Sequence, residues 1–442
     1  MIGPMTLGVD VGSHGVRAVV IDQHGCARAS ASEAFRTYPP DRRKPAEWWS
    51  ALEQCIRALN SDARRAIGAM AVTGVRGSVA GFTTDGTAMT PGYADFEPSC
   101  LAVTKDLAVE RREEIRVETG CPFFLLSGLP KILLHRAERR IRWWFSPQDY
   151  LGWRCTANPV QSAGSALRMG VLTQGGDSIH ASLLEDLGVD PRTIPAVSDI
   201  GSQLGVLQAS PASSLGLSPG VLVVAAPGDV PAAAVAAGAT TSGTALMSFG
   251  TSTVVSAPVA AGILGGPAMT RELYPFGLRA LEVGVGAGGV TFDWLARLVG
   301  RPVAELASRV PERCSAGSRL RVEAEIVSAW AEPKGGAICG ITPEVNLDAV
   351  VEAAAEAVAE LAVDLLTELE RYVGHVGKVM IGGGAARFSV IPRRVQDLRP
   401  SAHVELFAGQ ELAATGSAIV AASALGLLSG AKAQASTTLT SP

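Results

Sequence analysis

No two of the seven cysteines stand in a C-x-x-C spacing. An odd number without paired spacing argues against a disulfide framework and against a zinc site, so they read as reduced thiols in a cytoplasmic protein. The six histidines are scattered and carry no metal-site spacing. Charge is sparse and balanced, with 38 lysines and arginines against 42 acids, a net charge of −4 and no basic run. That leaves no electrostatic footprint for nucleic acid or for an anionic membrane, and neither is an expected partner. Met1-Ile2-Gly3-Pro4 lacks a basic and an apolar leader region, so secretion is not expected. The uncharged stretch from Leu412 to Ala431 holds three glycines and several hydroxyl residues. It falls short of the roughly 20 strongly apolar residues of a membrane span and reads as a buried helix.

What is present is a chain of 442 residues, 47% apolar and 18% charged. That composition excludes intrinsic disorder, and the length points to about two or three domains. Leu7–Val11, Val16–Ile21 and Ala27–Ala31 read as strands, with Asp22-Gln23-His24-Gly25 as a turn. A helix begins at Pro45 and carries Trp48, Leu52, Ile56 and Leu59 on one face. Further strands are expected at Met70–Val72, Val79–Phe82, Val221–Val224, Ala245–Phe249, Val254-Val255 and Val379–Ile381, while Leu101–Leu207 is more helical. From Leu347 to Val373 acids recur every fourth residue (Asp348, Glu352, Glu356, Glu360, Asp364, Glu368) opposite an aliphatic side, the mark of a long amphipathic helix. Asn346 suits its N-cap and Gly374 its C-terminal stop. Strands and helices mixed in this way predict an α/β fold with a mixed sheet.

Two glycine turns stand in matching contexts, strand–Gly12-Ser13-His14-Gly15–strand and strand–Gly250-Thr251-Ser252–strand. Their likeness suggests a duplicated domain. The expected division is 1–239, 240–431 and a fraying tail 432–442. A hairpin tip without bulky side chains lets backbone N–H groups approach an anion, so the two tips could grip neighbouring phosphates; either turn alone is an ordinary hairpin.

Asp10, beside the first turn, has two readings: a turn-forming aspartate, or a carboxylate positioning Mg²⁺. Asp229 interrupts a stretch otherwise apolar or made of glycine, proline and alanine, where a carboxylate is costly unless exposed or paired. It is either a cap for the helix Pro231–Ala237 or a general base taking the proton of an attacking hydroxyl. Arg76, between glycines, is either a solvated loop arginine or a donor fork for a hydroxyl or carboxylate. Gly383-Gly384-Ala385, between strand and helix, permits close approach of a flat base or a ribose. Trp48-Trp49 and Trp143-Trp144 read as packing residues.

In this order the segments resemble the FGGY carbohydrate kinases, the sugar and polyol kinase branch of the actin-like ATPase superfamily. Leu7–Ser13 with Arg17 is similar to the family's first phosphate motif, and Glu47-Trp48-Trp49 to its early helix. Gly228-Asp229 and the run to Ala239 resemble the segment of the catalytic aspartate, and Ser248–Ser252 the second phosphate motif. Gly288–Leu295 looks like a nucleotide-contacting segment, Ile381–Ala385 the adenosine motif, and Glu411–Leu425 the closing helix. The resemblance implies two actin-like, ribonuclease H-like domains with a deep interdomain cleft holding ATP and Mg²⁺. It implies Asp229 as the base, Asp10 and Asp229 at the metal, and Gly12, Ser13, His14, Arg17, Gly250 and Thr251 at the phosphates. Gly289, Gly383, Gly384 and Ala385 would line the nucleoside, and Arg76, Asp95 and Asp229 the acceptor.

The implied activity is ATP-dependent phosphoryl transfer to a hydroxyl of a sugar, polyol or cyclitol, in a cytoplasmic protein, with a homodimer as the assembly to test. Against the glycerol kinase branch, Arg76 matches a substrate-contacting arginine, but Gly77, Leu126 and Val230 stand where an acid, a tyrosine and an amide are expected. The loop 320–340 keeps only Glu332-Pro333 of the usual signature. A less polar pocket follows, suited to a deoxygenated sugar, a cyclitol or another unusual polyol. The competing readings are a catalytically silent nucleotide-binding regulator and an ATPase whose acceptor is water. A binder needs no base beside the γ-phosphate, so keeping both Asp10 and Asp229 favours the kinase.

Overall fold

A computed structural model describes residues 4–36, 42–93, 97–309, 320–325, 336–407 and 411–428. Asp95, Glu332-Pro333 and the tail 432–442 lie outside the described residues. The structure is mixed α/β, as the strand and helix patterns predict. It divides into two compact units, the described parts of Met1–Gly238, Gly266–Arg279 and Glu411–Pro442 forming one, and those of Ala239–Gly265 and Ala280–Gln410 the other. The segments 266–279 and 411–428 therefore group with the first unit, not with the unbroken stretch 240–431 drawn from the sequence.

The first unit is built on strands β1 (Met5–Val11), β2 (Gly15–Ile21), β3 (Ala27–Ala34), β4 (Ile67–Gly74), β5 (Gln203–Val206) and β6 (Leu222–Ala225). Their order across the sheet is β5-β6-β4-β1-β2-β3. The hairpin strands β1, β2 and β3 run antiparallel, β4 lies parallel to both β1 and β6, and β5 closes the edge antiparallel to β6. β1 is buried along its whole length, with Met5, Leu7, Val9 and Val11 on one face and Thr6, Gly8 and Asp10 on the other. One face of the sheet packs on Trp48, Leu52 and Ile56 of the helix Pro45–Ala58. The other is covered by the helix Leu412–Ala424, where Thr6 Oγ1 donates to the Ala418 carbonyl at 2.9 Å. Gly8 is required there, because a Cβ would lie 1.8 Å from the Ala414 carbonyl oxygen.

Five strands of the second unit repeat the order β3-β2-β1-β4-β6 of the first. β7 (Thr244–Phe249) and β8 (Thr253–Val259) form the hairpin, followed by β9 (Arg279–Val285), β10 (Lys378–Gly382) and β11 (His403–Leu406). Among the strands of this unit the order is β9-β8-β7-β10-β11, with β7, β10 and β11 parallel. The long helix spans Leu347–Val373 as its acid periodicity predicts; Asn346 accepts from the Ala349 amide at 2.9 Å and Gly374 stops the helix at φ 80°. No helix of the described residues is long and apolar enough to cross a membrane.

Candidate active site

Three predicted site residues follow the carboxyl ends of adjacent parallel strands in the first unit: Asp10 on β1, Arg76 just past β4, and Asp229 past β6. In open α/β sheets this is the edge where ligands bind. The edge is knitted by backbone and hydroxyl contacts. Val75 N donates to the Val11 carbonyl at 3.0 Å, and Thr73 Oγ1 to the Pro227 carbonyl at 2.6 Å.

Asp10 faces Arg17 across the β1–β2 hairpin, with Arg17 Nη1 3.4 Å from Oδ2. Arg17 also reaches Glu411 at 3.1 Å, so it links the hairpin to the start of the closing helix. Asp10 Oδ1 is buried and has no hydrogen-bond partner among the described residues. Burial, and next the nearby Asp229 carboxylate, push the Asp10 carboxyl up to about 7, against the smaller pull of Arg17. At the turn, Gly12 N donates to the Gly15 carbonyl at 2.9 Å. The carbonyls of Ser13 and His14 are occupied by Arg43 Nη2 at 2.7 Å and by the Phe35 amide at 2.9 Å.

Asp229 opens the helix Asp229–Ala237, with Gly228 before it as the N-cap. Its Oδ1 accepts from the Val230 amide at 2.9 Å and from Arg76 Nε at 2.7 Å, and its side chain stays one-third exposed. Arg76 is buried, so the solvated-loop reading does not hold; its Nη1 lies 2.5 Å from Glu272. Gly228 lets this arginine lie flat, since a Cβ there would sit 1.9 Å from Arg76 Cδ.

Of the positions read as replaced polar contacts, Gly77 has a packing cause. Gly77 adopts φ +78°, and a Cβ on it would meet the Leu126 carbonyl oxygen at 1.9 Å. The fully buried Lys131 ties these loops together, donating to the carbonyls of Gly77 (2.8 Å), Leu125 (2.7 Å) and Ser127 (3.2 Å). Lys131, Glu272 and Arg168 were not singled out in the sequence. For Lys131 and Arg168 the available signal was a charge between apolar neighbours, which is costly unless paired; Glu272, next to Arg271, gave none.

In the second unit, residues distant in sequence meet at the carboxyl ends of β7 and β10. The Gly289 and Val290 amides donate to the carbonyls of Gly250 (2.8 Å) and Thr251 (3.0 Å). A Cβ on Gly289 would lie 2.8 Å from the Gly250 oxygen, and one on Gly383 (φ +97°) 2.5 Å from the Phe249 carbonyl. Gly384 is exposed and Ala385 buried beside them, and Phe292 stacks on Phe388 with centroids 3.8 Å apart. No group of three or more metal-binding side chains occurs among the described residues.

Residues 5–236 match the description "FGGY family of carbohydrate kinases, N-terminal domain". The chain is 26% identical over 348 residues to the xylulose kinase of Escherichia coli (strain K12), covering 74% of this chain and 68% of that enzyme. It is 25% identical over 466 residues to the glycerol kinase of Aromatoleum aromaticum, covering 96% and 90%. A xyloylose kinase structure from Brucella ovis superposes with a TM-score of 0.83 at 22% identity, covering 96% of this chain and 91% of that one.

Proposed function

Because the chain belongs to the FGGY family of carbohydrate kinases, we propose a division of labour among the residues described above. The protein is an ATP-dependent kinase that phosphorylates a hydroxyl of a sugar or polyol. Asp229 is the general base: it takes the acceptor's hydroxyl proton as the oxygen bonds to the γ-phosphorus and ADP leaves. Arg76 orients that carboxylate and, with Asp95, contacts the acceptor. Gly12, Ser13, His14 and Arg17 in the first turn, and Gly250 and Thr251 in the second, hold phosphates. Gly289, Gly383, Gly384 and Ala385 line the nucleoside.

Asp10 and Asp229 would hold Mg²⁺. The orphaned Asp10 Oδ1, and a carboxyl whose proton affinity is raised by burial and a second carboxylate, fit a hard dication that prefers oxygen ligands. When bound, the ion supplies positive charge to phosphate oxygens during transfer. For the acceptor we favour a ketopentose of the xylulose type over glycerol, a deoxygenated sugar or cyclitol being the next choices. The named xylulose kinase relative supports this, while Gly77, Leu126 and Val230, which offer no polar side chain, count against glycerol. A cytoplasmic location suits the free thiols of Cys26 and Cys339.

The observation that carries the reading is the meeting of Asp229 and Arg76, 2.7 Å apart, on the strand-end edge that also bears Asp10. Nothing in the fold or the comparisons favours the silent binder. ADP release is to be measured with D-xylulose, glycerol, deoxypentoses and inositols. The reading expects D-xylulose to outpace glycerol by at least tenfold; equal release with and without any alcohol would overturn it in favour of a hydrolase.

A further inference from the structure

We infer that Glu272, on the strand Thr270–Leu273, is a positioning residue for phosphoryl transfer, acting through Arg76 on Asp229. This rests on the roles proposed for those two residues. Four side chains form a row of alternating sign: Asp229 Oδ1 to Arg76 Nε, 2.7 Å; Arg76 Nη1 to Glu272 Oε1, 2.5 Å; Glu272 Oε1 to Arg168 Nη1, 3.5 Å. Arg168 Nη1 is in turn 2.7 Å from Thr270 Oγ1, on the strand that carries Glu272. Side-chain exposure falls from 33% at Asp229 to 6% at Arg76 and 1% at Glu272, so the row runs from an accessible carboxylate to a buried one.

A buried carboxylate is strongly unfavourable unless its charge is answered, and here two guanidinium groups answer it. What the arrangement accomplishes is directional. A guanidinium is a rigid planar fork, so pinning Nη1 fixes where Nε–H points. The stem of Arg76 is pinned as well, against the Cβ-less backbone of Gly228, immediately before Asp229. Asp229 itself starts a helix whose N-cap provides no side chain, leaving Arg76 and the Val230 amide to orient its carboxylate. The strand is anchored at its own end: Arg271 N donates to the Gly120 carbonyl at 3.0 Å, and Arg271 Nη1 to that of Gln174 at 2.8 Å. Glu272 thus transmits a fixed frame to the base without touching the acceptor.

The test combines kinetics with a signal that needs no substrate. With D-xylulose, or the panel alcohol that outpaces it, Glu272→Ala is expected to lower kcat/KM for the acceptor about 10- to 100-fold, the scale of a misplaced reacting group. KM for ATP should stay within about twofold. Glu272→Gln keeps an oxygen at the same distance and should recover most of the loss, which also guards against a misfolded alanine variant. In an Arg76→Ala background, Glu272→Ala should cost nothing further. The Arg76 Nε–H proton resonance, identified by its loss in Arg76→Lys, should shift in Glu272→Ala and hold in Glu272→Gln. An additive loss in the Arg76→Ala background, or an unmoved resonance, would overturn the inference. Full turnover in Glu272→Ala with an inactive Asp229→Asn overturns the positioning role alone; turnover retained by Asp229→Asn overturns the base assignment beneath it.

Discussion

Asp229 gains its proposed role from where the backbone stops being regular. β6 ends at Ala225, Gly228 turns the chain, and the carboxylate emerges as the first residue of a helix that is otherwise valine, proline and alanine. Replacing it with asparagine keeps the size and the oxygen facing Arg76 Nε but removes the proton acceptor. Asp229→Asn is expected to cut kcat by about 10²–10⁴ while leaving nucleotide affinity within about twofold by calorimetry. Comparable turnover in the variant would remove the base from the mechanism. Gly228 tests the geometry from the other side. Its missing Cβ makes room for Arg76 Cδ, so Gly228→Ala should displace the arginine and lower kcat/KM for the acceptor about tenfold or more. The observable is a kinetic loss with an unchanged far-ultraviolet spectrum, and unaltered kinetics would show that the arginine has another place to lie.

At the scale of elements, packing of small residues sets the tolerance. The helix Leu412–Ala424 approaches β1 and the helix Asp229–Ala237 so closely that Gly8 and Gly416 would each place a Cβ 1.8 Å from a backbone oxygen. Gly8→Ala should therefore destabilise the protein by about 1–3 kcal/mol or more in urea unfolding, the range for overpacked cores. A second element carries a titratable strain. Asp149, on the helix Pro147–Thr156, is fully buried among Ser146, Ser162 and Ser165, and burial lifts its carboxyl to about 6 despite their hydrogen bonds. The folded state thus holds this proton more tightly than the unfolded chain. The penalty is absent below about pH 4, grows between about 4 and 6, and is complete above, reaching about 3 kcal/mol for about two pH units. Asp149→Asn should stabilise the protein at pH 7.5 and bring no gain at pH 4; equal urea midpoints shifts at both values would reject the account. The helix Leu347–Val373 was legible because six acids keep one spacing from Asp348 to Glu368, and the glycine hairpins because strand alternation brackets them. Lys131 and Glu272 were not, since their meaning lies in carbonyls and guanidinium groups brought from distant segments.

For the whole molecule, what matters is which segments complete the first unit. A cut drawn from local pattern falls after Ala239, yet the sheet face bearing Thr6, Gly8, Ala69 and Ala71 is sealed by residues from 411 onward, through Ala414, Ala418, Val420 and Ala421. Without that cover, an apolar surface opens along β1 and β4, with no charged residue on either strand's buried positions except Asp10 at its end. A chain ended at 239 is therefore expected to aggregate or to melt without cooperativity. The same geometry offers a remedy. A Cβ on Gly68 would touch both Leu425 (3.4 Å) and Pro4 (3.9 Å), so the end of the closing helix lies beside the start of β1. Joining residue 428 to residue 4 through a short glycine-serine linker, in the order 411–428 then 4–238, should melt more cooperatively than the simple truncation, although without 266–279 Arg76 and Arg168 lose the Glu272 carboxylate. Calorimetry of the two fragments side by side decides the matter: cooperative melting of the simple truncation would mean that the sheet does not depend on its closing helix.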